Sequence, residues 1–501
     1  NKKVQRRCLV PLFCLSLCLS LCSWLLLSRR RVLHLKNKLC WNCTTVLLLQ
    51  AGVMLTTGEI QVFLLAIGVF CVSNLTTSPV EAVILPLNDL TGTIPSEFFT
   101  NMSSLIALIM PANNLFSTIP TEIESLTNLE ILALPNNNLT GSIDFIASLT
   151  SLIALDLDSN LFVSNITSDI SNLVNLTVLD LEDNFLFGPL PTTIGDLSNL
   201  IILEIDGNNL DGPLPTELGN LGSLLELDLS SNFFVGDIPT ELGQLTLLGL
   251  LDLSSNSFLN GTIPTELGNL VNLRLLELDN CNLGGTIPTE MGNLVNVTEF
   301  FLWSNQLTGT IPTELGNLAN VESLDLDFNL LEGTVPTEFG QLTNLITLYL
   351  GPNNLTGPIP FEMRNAVSLE NIYAMGNNFS GILPNWICNL TGDVIFSGSL
   401  FDCPLPICCD TSRRGFGPFV DCGVEGLPCI PPPPSPSPSP IPSPTPSPVP
   451  VPTSTPSPSP TPSPSFTPFP VIPSPSSGSV LVPCKVLVVI TALLAALFVM
   501  F

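Results

Sequence analysis

The side chains able to do chemistry recur at a fixed spacing. Asp156, Asp180, Glu204, Asp228, Asp252 and Glu277 follow one another at intervals of 24 or 25 residues, and Phe301, Asp325, Tyr349 and Tyr373 continue the series. Two residues further on stand Asp158, Glu182, Asp206, Asp279 and Asp327. Paired carboxylates could act as acid and base on a glycosidic bond, offer oxygen ligands to a hard divalent cation, or attract a basic partner. Nucleophilic catalysis is much harder to assemble. Residues 80–384 contain no histidine, no lysine and a single cysteine, Cys281, so neither a Ser-His-Asp nor a Cys-His arrangement can be built there. No enzyme activity and no cofactor are expected.

The charge balance excludes another class. The chain of 501 residues has a formal net charge of −28, and residues 80–384 hold 36 acids against two arginines. A nucleic-acid binder needs a basic footprint. Here the partner is expected to be an extracellular protein, peptide or glycan, favoured if basic, with calcium as a weaker candidate. The bland reading of the acids is that they are simply solvated.

What positions these residues is a repeat. Units of the form L-x-x-L-x-L-x-x-N-x-L-x-G-x-I-P start at Val80, Leu105, Leu129, Leu152, Leu176, Leu200, Leu224, Leu248, Leu273, Val297, Val321, Leu345 and Leu369. Thirteen units in register are the signature of a leucine-rich repeat solenoid, in which no single turn can bury its own apolar face and stacking makes one core. The alternation L-x-L predicts a short strand per turn with its leucines inward. The fifth and seventh positions then face outward on a concave parallel sheet, stacked about 4.8 Å apart, where like charges repel. The ninth position is Asn in twelve units, expected to turn inward and bond main-chain groups at the bend. In the ninth unit it is Cys281, expected to be an inert buried substitute for Asn.

The segments LTGTIPTELGNL (307–318), LGGTIPTEMGNL (283–294) and LTGTIPSEFF (90–99) resemble the plant-type extracellular leucine-rich repeat of receptor-like proteins, receptor kinases and cell-wall enzyme inhibitors, also found in algal proteins. The resemblance covers about residues 80–384. It implies a twisted superhelix with a second short strand near L-x-G-x-I-P, and non-catalytic recognition. GVFC (68–71) resembles the end of the usual N-terminal cap. Upstream the pattern departs, because residues 63–67 are apolar where a Cys and Trp are expected; Cys40, Trp41 and Cys43 are candidate displaced remnants.

The flanking regions point to the secretory route. Residues 1–75 contain a basic start, an apolar run at 9–27 and two more at 45–55 and 60–73. They are read as a targeting or membrane segment with an ill-defined cap. Residues 385–430 hold Cys388, Cys403, Cys408, Cys409, Cys422 and Cys429, an even set without histidine or a CxxC pair, expected to form disulfides rather than a zinc site. Residues 431–479 are rich in Pro and Ser and predict an extended, O-glycosylated stalk. Residues 480–501 end in sixteen apolar residues, read either as a lipid-anchor signal or as a membrane helix. No kinase segment follows, so signalling is expected to need a partner. Acceptor triplets for N-glycans stand at Asn74, Asn101, Asn138, Asn165, Asn175, Asn260, Asn296, Asn354, Asn378 and Asn389.

The concave face changes character toward its C-terminal end. Phe301, Trp303, Phe328, Tyr349 and Tyr373, with Asp325 and Asp327, are the expected ligand site, since clustered exposed aromatics anchor partners. The competing reading is that they pack against the cap or lie under a glycan. The function expected is cell-surface recognition or adhesion. The alternatives are a wall-bound enzyme inhibitor and a structural matrix protein that contacts ice, mineral or cations.

Overall fold

A computed structural model describes residues 69–70, 80–402, 404–409 and 420–422. A typical repeat makes one full turn of a solenoid: an inner strand, an Asn bend, an outer strand, and a 3-10 helix, which in the first repeat is the short α-helix Ser96–Asn101. Repeat six illustrates why. Leu200, Leu203, Ile205, Leu210, Leu214, Leu218 and Leu221 are at most 4% exposed, so every segment of the turn contributes to the core. The inner strand Ile202–Glu204 buries Leu203 alone, as period-two alternation requires. Pro215 then ends strand pairing and opens the helix Thr216–Asn220, the TELGN segment. Gly219 in that helix is needed for close approach: a Cβ there would lie 2.5 Å from the Glu241 carbonyl oxygen of the next turn.

The inner strands form one sheet of sixteen, parallel throughout except where Val69–Phe70 runs antiparallel to Ala82–Ile84. Register is the same at each step, so fifth positions pair with fifth positions: Asp180 with Asp156 and Glu204, Asp228 with Glu204 and Asp252, Glu277 with Asp252 and Phe301, and Asp325 with Phe301 and Tyr349. The sheet continues beyond the thirteenth repeat through Val394–Ile395 and Val420–Asp421.

The inward Asn does more than fill the bend. Asn208 Nδ2 donates to the carbonyls of Ile205 and Asp206 in its own turn and Leu181 in the preceding one, while its Oδ1 accepts the Leu186 N–H at 2.9 Å. It therefore ties neighbouring turns together. Cys281 keeps only half of this role. Its Sγ donates to the Leu253 carbonyl at 3.3 Å, and the Leu259 N–H, lacking an amide oxygen opposite, turns to Asn256 of its own turn. The outer sheet is interrupted here. Its second piece ends at Phe258–Leu259 and its third starts at Thr308–Thr310, with isolated bridges between them.

At the C-terminal end the core is closed by Phe379, Phe396 and Phe401, whose rings meet edge to face at 6.3 and 5.4 Å. Disulfides Cys388–Cys408 and Cys409–Cys422 tie the closing segments down. Cys403 and Cys429 lie outside the described residues, as do Asn74, the stalk and both terminal apolar runs. Among the described residues no helix is long and apolar enough to cross a membrane.

Candidate functional site

The concave face divides into three zones built on one backbone. In repeats one to three its outward positions are aliphatic. Ala107, Ile109, Ile131, Ala133 and Ala154 are buried in a second apolar cluster, with Ala82 and Ile84 against it, apart from the main core. These positions were expected to face solvent. The run of Ile, Ile and Ala at the fifth position was the available sign that this end carries its own apolar patch.

Repeats four to nine carry the acids. They are not freely solvated: Asp156 is 8% and Asp279 6% exposed, and the others are half-buried between neighbouring strands. The aspartates have a local structural role that the sequence pattern did not reveal. Where the strand ends, the N–H of position seven loses its ladder partner, and the Asp at position five accepts it. Asp156 Oδ1 takes the N–H of Asp158 at 3.3 Å, Asp180 that of Glu182 at 3.2 Å, Asp228 that of Ser230 at 2.9 Å, and Asp252 that of Ser254 at 2.7 Å. This is the turn chemistry of a short carboxylate bonding its own backbone two residues on.

Burial and mutual repulsion push these groups toward the neutral form. Asp156 is raised from 3.8 to about 8, first by burial and then by Asp158. Burial and the neighbouring Asp156 raise Asp180 well above its ordinary value. Glu204 rises to about 7 and Glu277 to about 8, by burial followed by Glu226 and Asp252 respectively. Asp206 rises to about 8, Asp228 to about 6 and Asp279 to about 7, each chiefly by burial. The two arginines of the repeats lie elsewhere. Arg364 stacks on Phe361 at 4.0 Å on the helical side, and Arg274 lines a shallow groove with Thr298, Glu322 and a row of asparagines. Asp156, Asp158 and Asp180 each bring a carboxylate oxygen within 4.8 Å of the others, a grouping from which a hard cation could draw oxygen ligands.

Repeats ten to thirteen replace most of the acids by aromatics. Tyr349 and Tyr373 are in register on adjacent strands, and their rings stack with centroids 4.9 Å apart and 11° between planes. Asp325 lies between Phe301 and Tyr349 in the same column. Phe301, Trp303 and both tyrosines are half-buried, and Phe328 is 57% exposed. Phe328 also has φ 50°, in the left-handed region that the eighth position adopts in most repeats, where Ser, Asn, Asp or Gly is usual and Leu87 and Ala112 also occur. Such a conformation is uncommon for a bulky residue and costs of order 1–3 kcal/mol. Of the five aromatics, only the tyrosines are in ring contact; Phe301, Trp303 and Phe328 line the same face without touching one another's rings. Their rings make no ring contact with Phe379, Phe396 or Phe401, which contact one another.

Asp325 retains the strand-end bond to the Asp327 N–H at 2.9 Å, and Asp327 accepts the Gly351 N–H of the next turn. Burial raises Asp325 to about 7 and Asp327 to about 6. Tyr349 is raised by burial and then by Tyr373. Cys281 is buried and its thiol pushed up to about 12 by burial, which makes it unreactive. The acceptor residues Asn101, Asn138, Asn165, Asn175, Asn260, Asn296, Asn354, Asn378 and Asn389 are all exposed, although Asn296 Nδ2 also donates to the Val271 carbonyl at 2.8 Å.

Comparison with known proteins agrees with this geometry. The family described as Leucine Rich Repeat matches in eight segments, 175–197, 199–221, 223–245, 248–270, 272–294, 296–318, 320–342 and 368–390. No curated protein matches the sequence. Among solved structures, the LRR ectodomain of the Arabidopsis receptor kinase HAESA with an extended IDA peptide hormone is 33% identical, with TM-score 0.61 over 67% of this chain and 56% of that one. HAESA with IDA and the co-receptor SERK1 is 27% identical, with TM-score 0.59 over 67% and 68%. PEPR1 with AtPEP1 is 28% identical, with TM-score 0.57 over 67% and 54%. The chain thus spans about half to two thirds of these relatives' length. Its fold is a leucine-rich repeat solenoid, and its neighbours include extracellular repeat regions of plant receptor kinases.

Proposed function

We propose that the chain is a non-catalytic recognition protein of the cell surface or wall, which takes a segment of a protein, peptide or glycan on the concave face of repeats ten to thirteen. One observation carries this reading: where repeats four, five, seven, eight and eleven place a strand-capping aspartate, Phe301, Tyr349 and Tyr373 put aromatic rings on the concave face, and the two tyrosines stack. Phe328 beside them is 57% exposed, so its ring is open to a ligand. Asp325 and Asp327 add negative charge among the rings, which favours a segment bearing Lys or Arg through ion pairing and cation–π contact. The HAESA structures are complexes with a peptide hormone, which supports a peptide as the first ligand class to try. The N-terminal segment, cysteine cap, stalk and apolar tail are proposed to deliver the repeats to the outer face of a membrane or to the wall.

The test is binding of the secreted chain to a library of extended basic peptides and to cell-wall oligosaccharides, with calcium and with chelator. The double variant Trp303→Ala/Tyr349→Ala should weaken capture at least tenfold while its melting temperature stays unchanged. Undiminished capture removes this site. Binding of every peptide abolished by chelator moves the reading to a cation held at Asp156, Asp158 and Asp180.

A further inference from the structure

The outer strands carry an apolar surface that neither the core nor the proposed ligand site uses. Each buries its central residue and turns the residues on either side outward, as Asn209 and Asp211 do about Leu210. Polar residues occupy those outward positions in most other repeats, for example Asn354 and Thr356, with Phe116 in repeat two and Leu330 in repeat eleven as single exceptions. Repeats four and five instead present Leu161, Val163, Phe185 and Phe187. Repeats seven and eight present Phe233, Val235 and Phe258, and all seven are 39–54% exposed. Register seats Phe187 beside Asn209, Asp211 beside Phe233, and Val235 beside Phe258, and the rings of Phe233 and Phe258 lie 6.5 Å apart. Two apolar lobes therefore flank one polar strand, that of repeat six.

We propose that this surface joins two copies of the chain about a two-fold axis that runs along the strand Asn209–Pro213, just outside it in the plane between the copies. A two-fold contact uses the same patch on both subunits. Lobes placed one and two repeats to either side of repeat six are what such an axis requires. It sets Phe185 and Phe187 of one copy on Phe233 and Val235 of the other, and Leu161 and Val163 on Phe258. The area is sufficient. With ~200 Å² for a whole aromatic side chain, the exposed portions come to about 600 Å² per copy, the top of the range for the largest apolar patch on a monomer. Two copies bury about 1,200 Å² of apolar surface, where specific interfaces begin. Charge favours the same pairing. The concave faces carry the acids and would repel one another, whereas the outward residues of the two lobes are uncharged, with Asp211 beside the axis and Asp183 and Asp237 at the lobes' margins. Pairing through the outer strands also leaves both concave faces open to ligand. The acceptors Asn165 and Asn260 follow Val163 and Phe258 by two residues, so sugar there borders the lobes.

Two differently tagged full-length chains co-expressed in a eukaryotic secretory host provide the test, read as co-capture of one tag with the other. Asp211→Thr creates the triplet Asn209-Leu-Thr, the same Asn-Leu-Thr-Gly context that stands at Asn138 and Asn354. It places a glycan on the axis without touching an apolar residue, and co-capture should fall at least tenfold. The double variant Asn209→Gln/Asp211→Thr cannot be glycosylated there and should pair as well as the parent chain or better, since the charge beside the axis is gone. Phe187→Thr/Phe233→Asn, which installs residue types that sister repeats carry, should also abolish pairing while melting unchanged. Parent chains that do not co-capture, or pairing that survives the Asn209 glycan and both Phe substitutions, overturn the proposal.

Discussion

In repeats four, five, seven, eight and eleven the inner strand ends on an aspartate that accepts the N–H two residues on. In repeats ten, twelve and thirteen the same position holds Phe301, Tyr349 and Tyr373, which cannot accept it. Backbone, register and buried leucines are common to both stretches, so the difference lies in what the outward residue does. In the acidic stretch it mends a strand end, at the cost of crowding charge into half-buried columns. In the aromatic stretch Phe301, Tyr349 and Tyr373 cannot serve as that acceptor, the Gly351 N–H of repeat twelve going instead to Asp327 of the preceding turn, and the outward rings offer an apolar, stackable surface beside two carboxylates. An acid ladder that looks like a binding site is largely turn chemistry, and the exceptions to it mark the better candidate for recognition.

The largest expected effect comes from relieving the acid column. Asp156→Asn/Asp180→Asn/Glu204→Gln keeps the acceptor oxygens but removes three stacked charges, and should stabilise the chain by roughly 1–2 kcal/mol at pH 8. The parent's pH dependence follows the same logic. Asp156 holds its proton to about 8 and Glu204 to about 7 when folded, whereas both release it near ordinary carboxylate values when unfolded. The folded state binds more protons in between, so stability is greatest below about pH 4, declines as pH rises toward 8, and is flat above. Thermal melts from pH 4 to 9 should show this fall, and the triple variant should make it shallower, the remainder coming from Asp206, Glu277 and Asp279. A parent melting temperature that climbs with pH would contradict the account. A smaller effect is expected from extending the ladder. Phe301→Asp places a charge between Glu277 and Asp325 and should cost about 0.2–1 kcal/mol at pH 8, regained on acidification. The smallest concerns the scaffold that both stretches share. Cys281→Asn supplies the missing amide oxygen and should stabilise by about 1 kcal/mol, read as slower hydrogen exchange at the Leu259 N–H.

The coil was legible because period does not depend on detail: thirteen units in register specify strand, bend and return whatever occupies the variable positions. Which residues face outward followed from the same count, and Cys281 fell at the buried ninth position as expected. The sequence did not show how the acids are engaged. Capping by Asp156 or Asp228 depends on where the strand stops, and their burial depends on neighbours 24 residues away. The inter-turn role of Asn208 was half visible, since its own bend was expected but its reach to Leu181 and Leu186 was not. The aliphatic patch at Ile109 and Ile131 and the exposed Phe185, Phe187, Phe233 and Phe258 of repeats five, seven and eight were present as letters. Their meaning needed the strand register that sets them side by side.

The separation of roles is tested most directly by one binding series on one ligand. A basic peptide captured by the parent chain is titrated against Trp303→Ala/Tyr349→Ala and against Asp156→Asn/Asp180→Asn/Glu204→Gln. The aromatic variant should lose at least tenfold in affinity, about 1.4 kcal/mol, with unchanged melting, and the acid variant should keep near-parent affinity with raised melting. Loss of affinity confined to the acid variant would place recognition on the ladder and contradict that separation.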